Sequence, residues 1–149
     1  MKNDFKTLLL VDDDADDTEL FSEALKEVDA SVKFCYAPNG IIAMEKVNEL
    51  GSSSIIFLDI NMPEMGGLEC LSLLKKMELV KDIPVLMFTT SSSKQDVKAA
   101  SDLGALCFVT KPDKFQHLKI IIKTVLTHLE IQQLDTLCEA IYKNRQSVK

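Results

Sequence analysis

The chain has 149 residues, 46% of them apolar and 27% charged, a balance that supports one folded domain with a real core and argues against disorder. Its formal net charge is −6, so no basic field draws it toward DNA, RNA or an anionic membrane surface. No apolar run approaches the roughly 18 residues needed to cross a bilayer, and the run behind the N-terminus is too short for a signal-peptide core; the expectation is a cytoplasmic protein without a membrane or nucleic-acid partner.

Thr7–Val11 is the first of five short apolar runs. All five are continuous rather than alternating, which suits strands buried on both faces of a parallel sheet. Behind the first, Leu20, Phe21, Ala24, Leu25 and Val28 recur at helical spacing. Val32–Tyr36 follows, then a turn signal at Asn39-Gly40 and a helical segment carrying Ile42, Ala43, Val47 and Leu50, closed by Gly51 and Ser52–Ser54. The third run, Ile55–Leu58, leads through Pro63, Gly66 and Gly67 to a helix with Leu68, Leu71, Leu74 and Met77. After Ile83–Phe88, Ser91–Ser93 can cap a helix bearing Val97, Ala100 and Leu103, which Gly104 stops. The fifth run, Leu106–Val109, precedes a helix with Leu118, Ile122, Val125 and Leu129. Strands alternating with helices make repeated βαβ units, hence an α/β, doubly wound five-stranded parallel sheet.

Ligands of such a sheet bind beyond the carboxyl ends of its strands. The first run ends in Asp12, Asp13 and Asp14, the third in Asp59, the fourth in Thr89 and Thr90, and the fifth in Thr110 and Lys111. Carboxylates converging at one edge repel one another unless a cation joins them, and an oxygen-rich set suits Mg²⁺ or Mn²⁺. A lysine and a threonine hydroxyl at the same rim can hold the oxygens of a phosphoryl group. Asp59 stands alone at the end of the central run and is the natural nucleophile; Asp12 and Asp13 are better placed to hold the metal. Each feature has a plain structural reading: acids at a helix start, a turn aspartate, strand threonines, a solvated lysine. Their joint placement at the ends of four strands is what carries the chemistry.

The pattern resembles the receiver domain of two-component response regulators. The matching pieces are Leu10-Val11-Asp12-Asp13, Phe57-Leu58-Asp59-Ile60-Asn61-Met62-Pro63, Gly66-Gly67, Pro84 through Thr89, Gly104-Ala105 and Lys111-Pro112, in family order over residues 6–128. The resemblance implies the flavodoxin-like, CheY-like strand order 2-1-3-4-5. It implies Asp59 as phosphoacceptor, Asp13 as direct metal ligand, Asp12 positioning the metal partly through water, and Asn61 offering its backbone carbonyl. Thr89 is then the switch hydroxyl, Lys111 the partner of the phosphoryl oxygens, and Phe108 the aromatic that follows the switch. The implied function is that of a phosphoacceptor, not an enzyme, which assists its own phosphorylation and dephosphorylation. It would receive the group from a sensor histidine kinase or phosphotransfer protein and relay the signal to a downstream protein. Thr90 departs from the small residue usual after the switch threonine. Thr89-Thr90-Ser91-Ser92 and Lys111-Pro112-Asp113-Lys114-Phe115 are similar to stand-alone receivers of the phytochrome-linked kind. An aspartate-nucleophile hydrolase would need a second acid and a threonine after Asp59, where Asn61 and Pro63 stand. A degenerate, purely structural receiver would lack part of the set Asp12, Asp13, Asp59, Thr89 and Lys111.

The receiver is expected over residues 1–129, with 130–149 as a helical C-terminal tail and no output domain. As one extended C-terminal helix, the tail would turn Ile131, Leu134, Leu137, Cys138 and Ile141 off the core, which favours a homodimer through the helix and tail over a chain that breaks near Glu130–Gln133 and folds back. Cys35, Cys70, Cys107 and Cys138 have no metal or redox spacing and read as small hydrophobes in a reducing compartment. His117 and His128 read as ordinary helix residues.

Overall fold

A computed structural model describes residues 6–51, 53–91 and 93–146. The N-terminal residues before Lys6, along with Ser52 of the second helix's closing segment and Ser92 of the cap ahead of the fourth, lie outside the described residues. Five strands, β1 (Thr7–Val11), β2 (Lys33–Ala37), β3 (Ile55–Leu58), β4 (Val85–Thr89) and β5 (Cys107–Thr110), form one parallel sheet in the order 2-1-3-4-5. Helices α1 (Ala15–Val28), α2 (Gly40–Lys46), α3 (Gly67–Leu74), α4 (Lys94–Asp102) and α5 (Phe115–Glu130) connect or follow them, and α6 (Leu137–Gln146) ends the described chain.

β2, β4 and β5 start and end one or two residues later than their apolar runs. Backbone pairing does not stop where apolar side chains stop: Val11 pairs with Ala37 and Thr89 with Thr110. Pro84 has no N–H to give, so the β4 ladder takes its donors from later residues, although the Pro84 carbonyl still accepts from Ile56.

Successive side chains along a strand point to opposite faces. Leu8, Leu10, Phe57 and Phe88 therefore pack under α1, α5 and α6, while Leu9, Val11, Ile56 and Met87 pack under α2, α3 and α4. Phe21 lies against Phe57 and Phe88 with ring centroids 5.0 and 5.8 Å apart, edge to face. Caps fix the helix starts: Asp14 accepts from the Asp17 N–H at 3.1 Å, Asn39 from Ile42 at 2.9 Å and Ser93 from Asp96 at 3.1 Å. Gly104 has φ of 98°, and its successor Ala105 donates to the Ala100 carbonyl, so α4 ends in a left-handed cap that a side chain would strain.

The tail corrects two expectations. The helical C-terminal segment is present but is not continuous. After Glu130 the chain turns: Gln132 takes φ of 58° and donates to the Leu129 carbonyl, and Gln133 donates to that of His128. The same closing motif that Gly104 makes is made here by a glutamine. The chain then folds back, and α6 returns along α5. Leu137 is 0% and Ile141 4% exposed within the core beneath α1 and α5. The stripe expected to face another molecule is mostly spent on the chain's own core, which removes the reason for a dimer through the tail. The second correction concerns cysteine. Cys107 and Cys138 form a disulfide joining β5 to α6, with Cα atoms 5.5 Å apart; Cys35 and Cys70 are free.

Candidate functional site

The sheet order puts the carboxyl ends of β1, β3, β4 and β5 side by side. Asp12 follows β1 and is 1% exposed, Asp59 follows β3 and is 7% exposed, Thr89 ends β4 with no exposure, and Lys111 follows β5. Asp13 is exposed beside Asp12. One carboxylate oxygen from each of Asp12, Asp13 and Asp59 lies within 4.8 Å of the other two.

Local structure aims these groups. Asp12 donates its backbone N–H to the Ala37 carbonyl and Asp59 to that of Val11, so both residues continue the ladder. Asp12 Oδ1 accepts the Asp14 N–H at 2.9 Å, and Asp59 Oδ1 accepts the Ile60 N–H at 2.7 Å. The backbone behind Asp59 is backed closely by α3. Gly67 donates to the Ile60 carbonyl at 2.8 Å, and a Cβ at Gly67 would stand 2.0 Å from the Asp59 carbonyl oxygen.

Lys111 closes the site. Its Nζ donates to Asp12 Oδ2 at 2.7 Å, Asp17 Oδ2 at 3.0 Å and Asp59 Oδ2 at 3.1 Å. Its backbone N–H donates to the Thr89 carbonyl, which sets where the side chain leaves the sheet. Burial raises the Asp12 carboxyl above its ordinary value, outweighing the hydrogen bond from Lys111. Burial alone would lower Lys111, but the hydrogen bonds to Asp12 and Asp17 hold the ammonium well above the usual lysine range.

Of the residues singled out in the sequence, Asp12, Asp13, Asp59 and Lys111 come together directly. Thr89 sits at the same rim, where its hydroxyl accepts the Ser91 N–H at 3.3 Å rather than meeting a carboxylate. Asn61 lies two residues past Asp59 in the exposed loop, and Phe108 is half-buried on β5. Asp17 went unremarked in the sequence. Its only signal is its place three residues after the N-cap Asp14, where an acid is ordinarily explained by the helix dipole; instead it reaches across to a lysine 94 positions away.

Three carboxylate oxygens at close quarters, one of them on an acid that burial makes reluctant to ionise, fit a hard divalent cation with oxygen ligands. Lys111 supplies one fixed positive charge toward Asp59. The set can neutralise the oxygens of a phosphoryl group brought to that carboxylate.

Residues 8–123 match the family model of the response regulator receiver domain, and the chain belongs to that family. It is similar to response regulator Rcp1 of Synechocystis sp. (strain ATCC 27184 / PCC 6803 / Kazusa), 33% identical over 126 residues that cover 80% of this chain and 84% of Rcp1. It is 30% identical to chemotaxis protein CheY1 of Helicobacter pylori (strain ATCC 700392 / 26695) over 119 residues, 80% of this chain and 95% of CheY1. Among solved structures, the phosphorylated cyanobacterial phytochrome response regulator RcpA superposes with a TM-score of 0.75 at 28% identity, covering 86% of this chain and 96% of RcpA. The Mn²⁺-bound form of Rcp1 gives 0.69 at 31% identity, covering 80% and 91%. The protein is a response regulator receiver, homologous to regulators such as Rcp1 and CheY1, and works in signal relay by phosphoryl acceptance.

Proposed function

We propose that Asp59 is the phosphoacceptor and that this receiver carries one phosphoryl group, taken from a phosphohistidine on a sensor kinase or phosphotransfer protein. The observation that carries the reading is the single ammonium of Lys111, which lies 3.1 Å from Asp59 Oδ2 and 2.7 Å from Asp12 Oδ2 at the edge of the acidic trio. Transfer forms a bond from an Asp59 carboxylate oxygen to phosphorus and breaks the bond from phosphorus to the donor's histidine nitrogen.

Asp12, Asp13 and Asp59, with the Asn61 backbone carbonyl, would hold Mg²⁺ or Mn²⁺. The bound ion would neutralise charge on the transferring oxygens. Lys111 does the same from the opposite chain segment and stays charged throughout, because its neighbours hold it above the usual lysine range. The Ile60 N–H keeps the Asp59 carboxylate oriented. In this sense the receiver assists its own phosphorylation, and its later hydrolysis, without being an enzyme that acts on another molecule.

A phosphoryl group adds about −1.5 to −2 charges at Asp59. Thr89 and Lys111 are the groups placed to answer it: the Thr89 hydroxyl bonds no carboxylate, Lys111 already faces Asp59, and a backbone hydrogen bond joins the two. Their movement would reshape the face of α4, β5 and α5 for a downstream protein. The absence of any helix long and apolar enough to cross a membrane among the described residues is consistent with a cytoplasmic relay. Titrating Mg²⁺ against the wild type and Asp13→Asn tests the metal assignment. Asp13 is exposed, so the variant should fold normally yet bind Mg²⁺ at least tenfold more weakly; equal affinities would remove Asp13 from the ligand set.

A further inference from the structure

α6 runs along the open side of β5 and is held at both ends of that strand. Near the start, Cys138 is bonded to Cys107. Near the end, Arg145 Nη1 donates to the Thr110 carbonyl at 3.1 Å, the residue before Lys111. Between them Leu137 and Ile141 are buried, and Asn144 Nδ2 donates to Thr124 Oγ1 on α5 at 2.9 Å. β5 is the edge strand of the sheet, so α6 covers an edge that would otherwise stand open.

Apart from its covalent link, α6 is held by those two buried side chains and two hydrogen bonds. It has 10 residues, and Tyr142 on its outer side is 66% exposed. Helices shorter than about 12–15 residues are marginal in water without tertiary packing. Two clefts flank it. One of about 480 Å³ lies between α6, β5 and the start of α5, lined by Phe108, His117, Tyr142 and Arg145. Another of about 200 Å³ lies between α4 and β5, lined by Val97, Ala100 and Phe108. Cys107, Phe108 and Cys138 line both, so the disulfide lies where the two clefts meet.

The two residues differ in access: Cys107 is 5% exposed, whereas Cys138 is exposed. Cys138 Sγ also lies 2.9 Å from the Leu106 carbonyl. In the disulfide it has no proton to give, but as a thiol it would find an acceptor waiting there. Both redox forms are thus accommodated without an orphaned polar group.

We propose that Cys107–Cys138 is a reversible thiol–disulfide site that latches α6 onto β5, and that its reduction lets α6 open from the strand more often. The reductant is a dithiol. One of its thiolates attacks the sulfur of Cys138, the more exposed residue of the pair, the S–S bond breaks, and Cys107 leaves as a thiolate and takes a proton. The second thiol then attacks the mixed disulfide, releasing Cys138 as a thiol and the reductant as a cyclic disulfide. Two electrons and two protons pass to the protein. Opening would widen the cleft between α6 and β5 and free the Thr110 carbonyl next to Lys111.

The test uses the full chain, oxidised with a thiol-specific oxidant or reduced with a dithiol, and reads hydrogen exchange over residues 137–146 together with the number of titratable thiols after denaturation. The oxidised protein should present two thiols and slow exchange in α6. The reduced protein should present four, with α6 exchange at least tenfold faster, and Cys138→Ser should exchange fast whether or not reductant is present. Four thiols after oxidation, or equal α6 exchange in the oxidised and reduced wild type, would overturn the latch. Phosphate uptake at Asp59 is measured separately in both states; its failure would count against the phosphoacceptor assignment and leave the latch standing.

Discussion

Lys111 is shared by carboxylates from two strand ends and a helix, and their burial differs. Asp12 is almost fully enclosed, while the Asp17 side chain is 40% exposed. Charge pairing weakens with exposure, so the two contacts should be unequal in effect. Asp17→Asn should leave stability within about 1 kcal/mol of wild type and Mg²⁺ affinity nearly unchanged, because Asp17 is outside the acidic trio. Lys111→Met leaves Asp12 and Asp59 buried without their counter-charge and should cost about 3 kcal/mol in metal-free buffer. Urea unfolding of the three proteins compares them; a larger loss for Asp17→Asn than for Lys111→Met would reverse the assignment. The pH dependence follows from the same contacts. The folded protein holds Lys111 above its ordinary value of 10.5. Its ion pairs therefore contribute in full below that pH and are lost as pH rises past it through the folded value. The advantage of wild type over Lys111→Met should hold up to the ordinary lysine value of 10.5 and shrink as pH rises above it; an advantage that grows with pH would contradict the pairing. The strand-end residues were legible in the sequence because their chemistry is abrupt after apolar runs. Asp17 was not, because its partner is distant in the chain and its position already has a local explanation.

At the scale of elements, adjacent glycines before α3 make a sharp comparison. A Cβ at Gly67 would stand 2.0 Å from the Asp59 carbonyl oxygen, whereas one at Gly66 would stand 3.4 Å from that of Ile60. Gly66 also has φ of −71°, which any residue can adopt. Gly67→Ala should therefore cost about 1–3 kcal/mol through overpacking and slow phosphate uptake by displacing the Asp59 backbone. Gly66→Ala should change both much less. Thermal melts and uptake rates of the two variants decide it, and similar effects would show that α3 does not abut the site. Helix ends show where sequence signals stop. Gly104 closes α4 and Gln132 closes α5, each two residues past the last helical one, and both adopt positive φ in the same hydrogen-bonded cap. Glycine announces such a cap. Glutamine does not, and its strain is offset only by what the turn allows: the return of Leu137 and Ile141 to the core, each burial contributing about 1.5–3 kcal/mol.

For the whole molecule, the sheet and its order followed from five continuous runs and a family resemblance, but the course of the tail did not. Helical periodicity reports which residues share a face and says nothing of whether a helix continues. The separation of Cys107 from Cys138 by 31 positions also carried no pairing signal until α6 turned back. The core now includes two residues beyond position 129, Leu137 and Ile141. A chain truncated after Leu129 should lose about 3–6 kcal/mol of burial, and under oxidising conditions about 2–4 kcal/mol more from the lost crosslink. Those are large fractions of the usual 5–15 kcal/mol of domain stability. A urea midpoint unchanged by truncation would mean that α6 does not belong to the core.

The central claim is that this receiver takes its phosphoryl group on Asp59, and the most direct measurement is the mass of the intact chain and of its Asp59 peptide after incubation with a small acyl or amido phosphate. With Mg²⁺ present the wild type should gain one phosphoryl group, lodged in the Asp59 peptide, and it should gain almost none when the ion is chelated. Asp59→Asn should stay unmodified, because an amide is no nucleophile. Uptake by Asp59→Asn at the wild-type rate, or a phosphoryl group found on any other peptide of the wild type, would contradict the account.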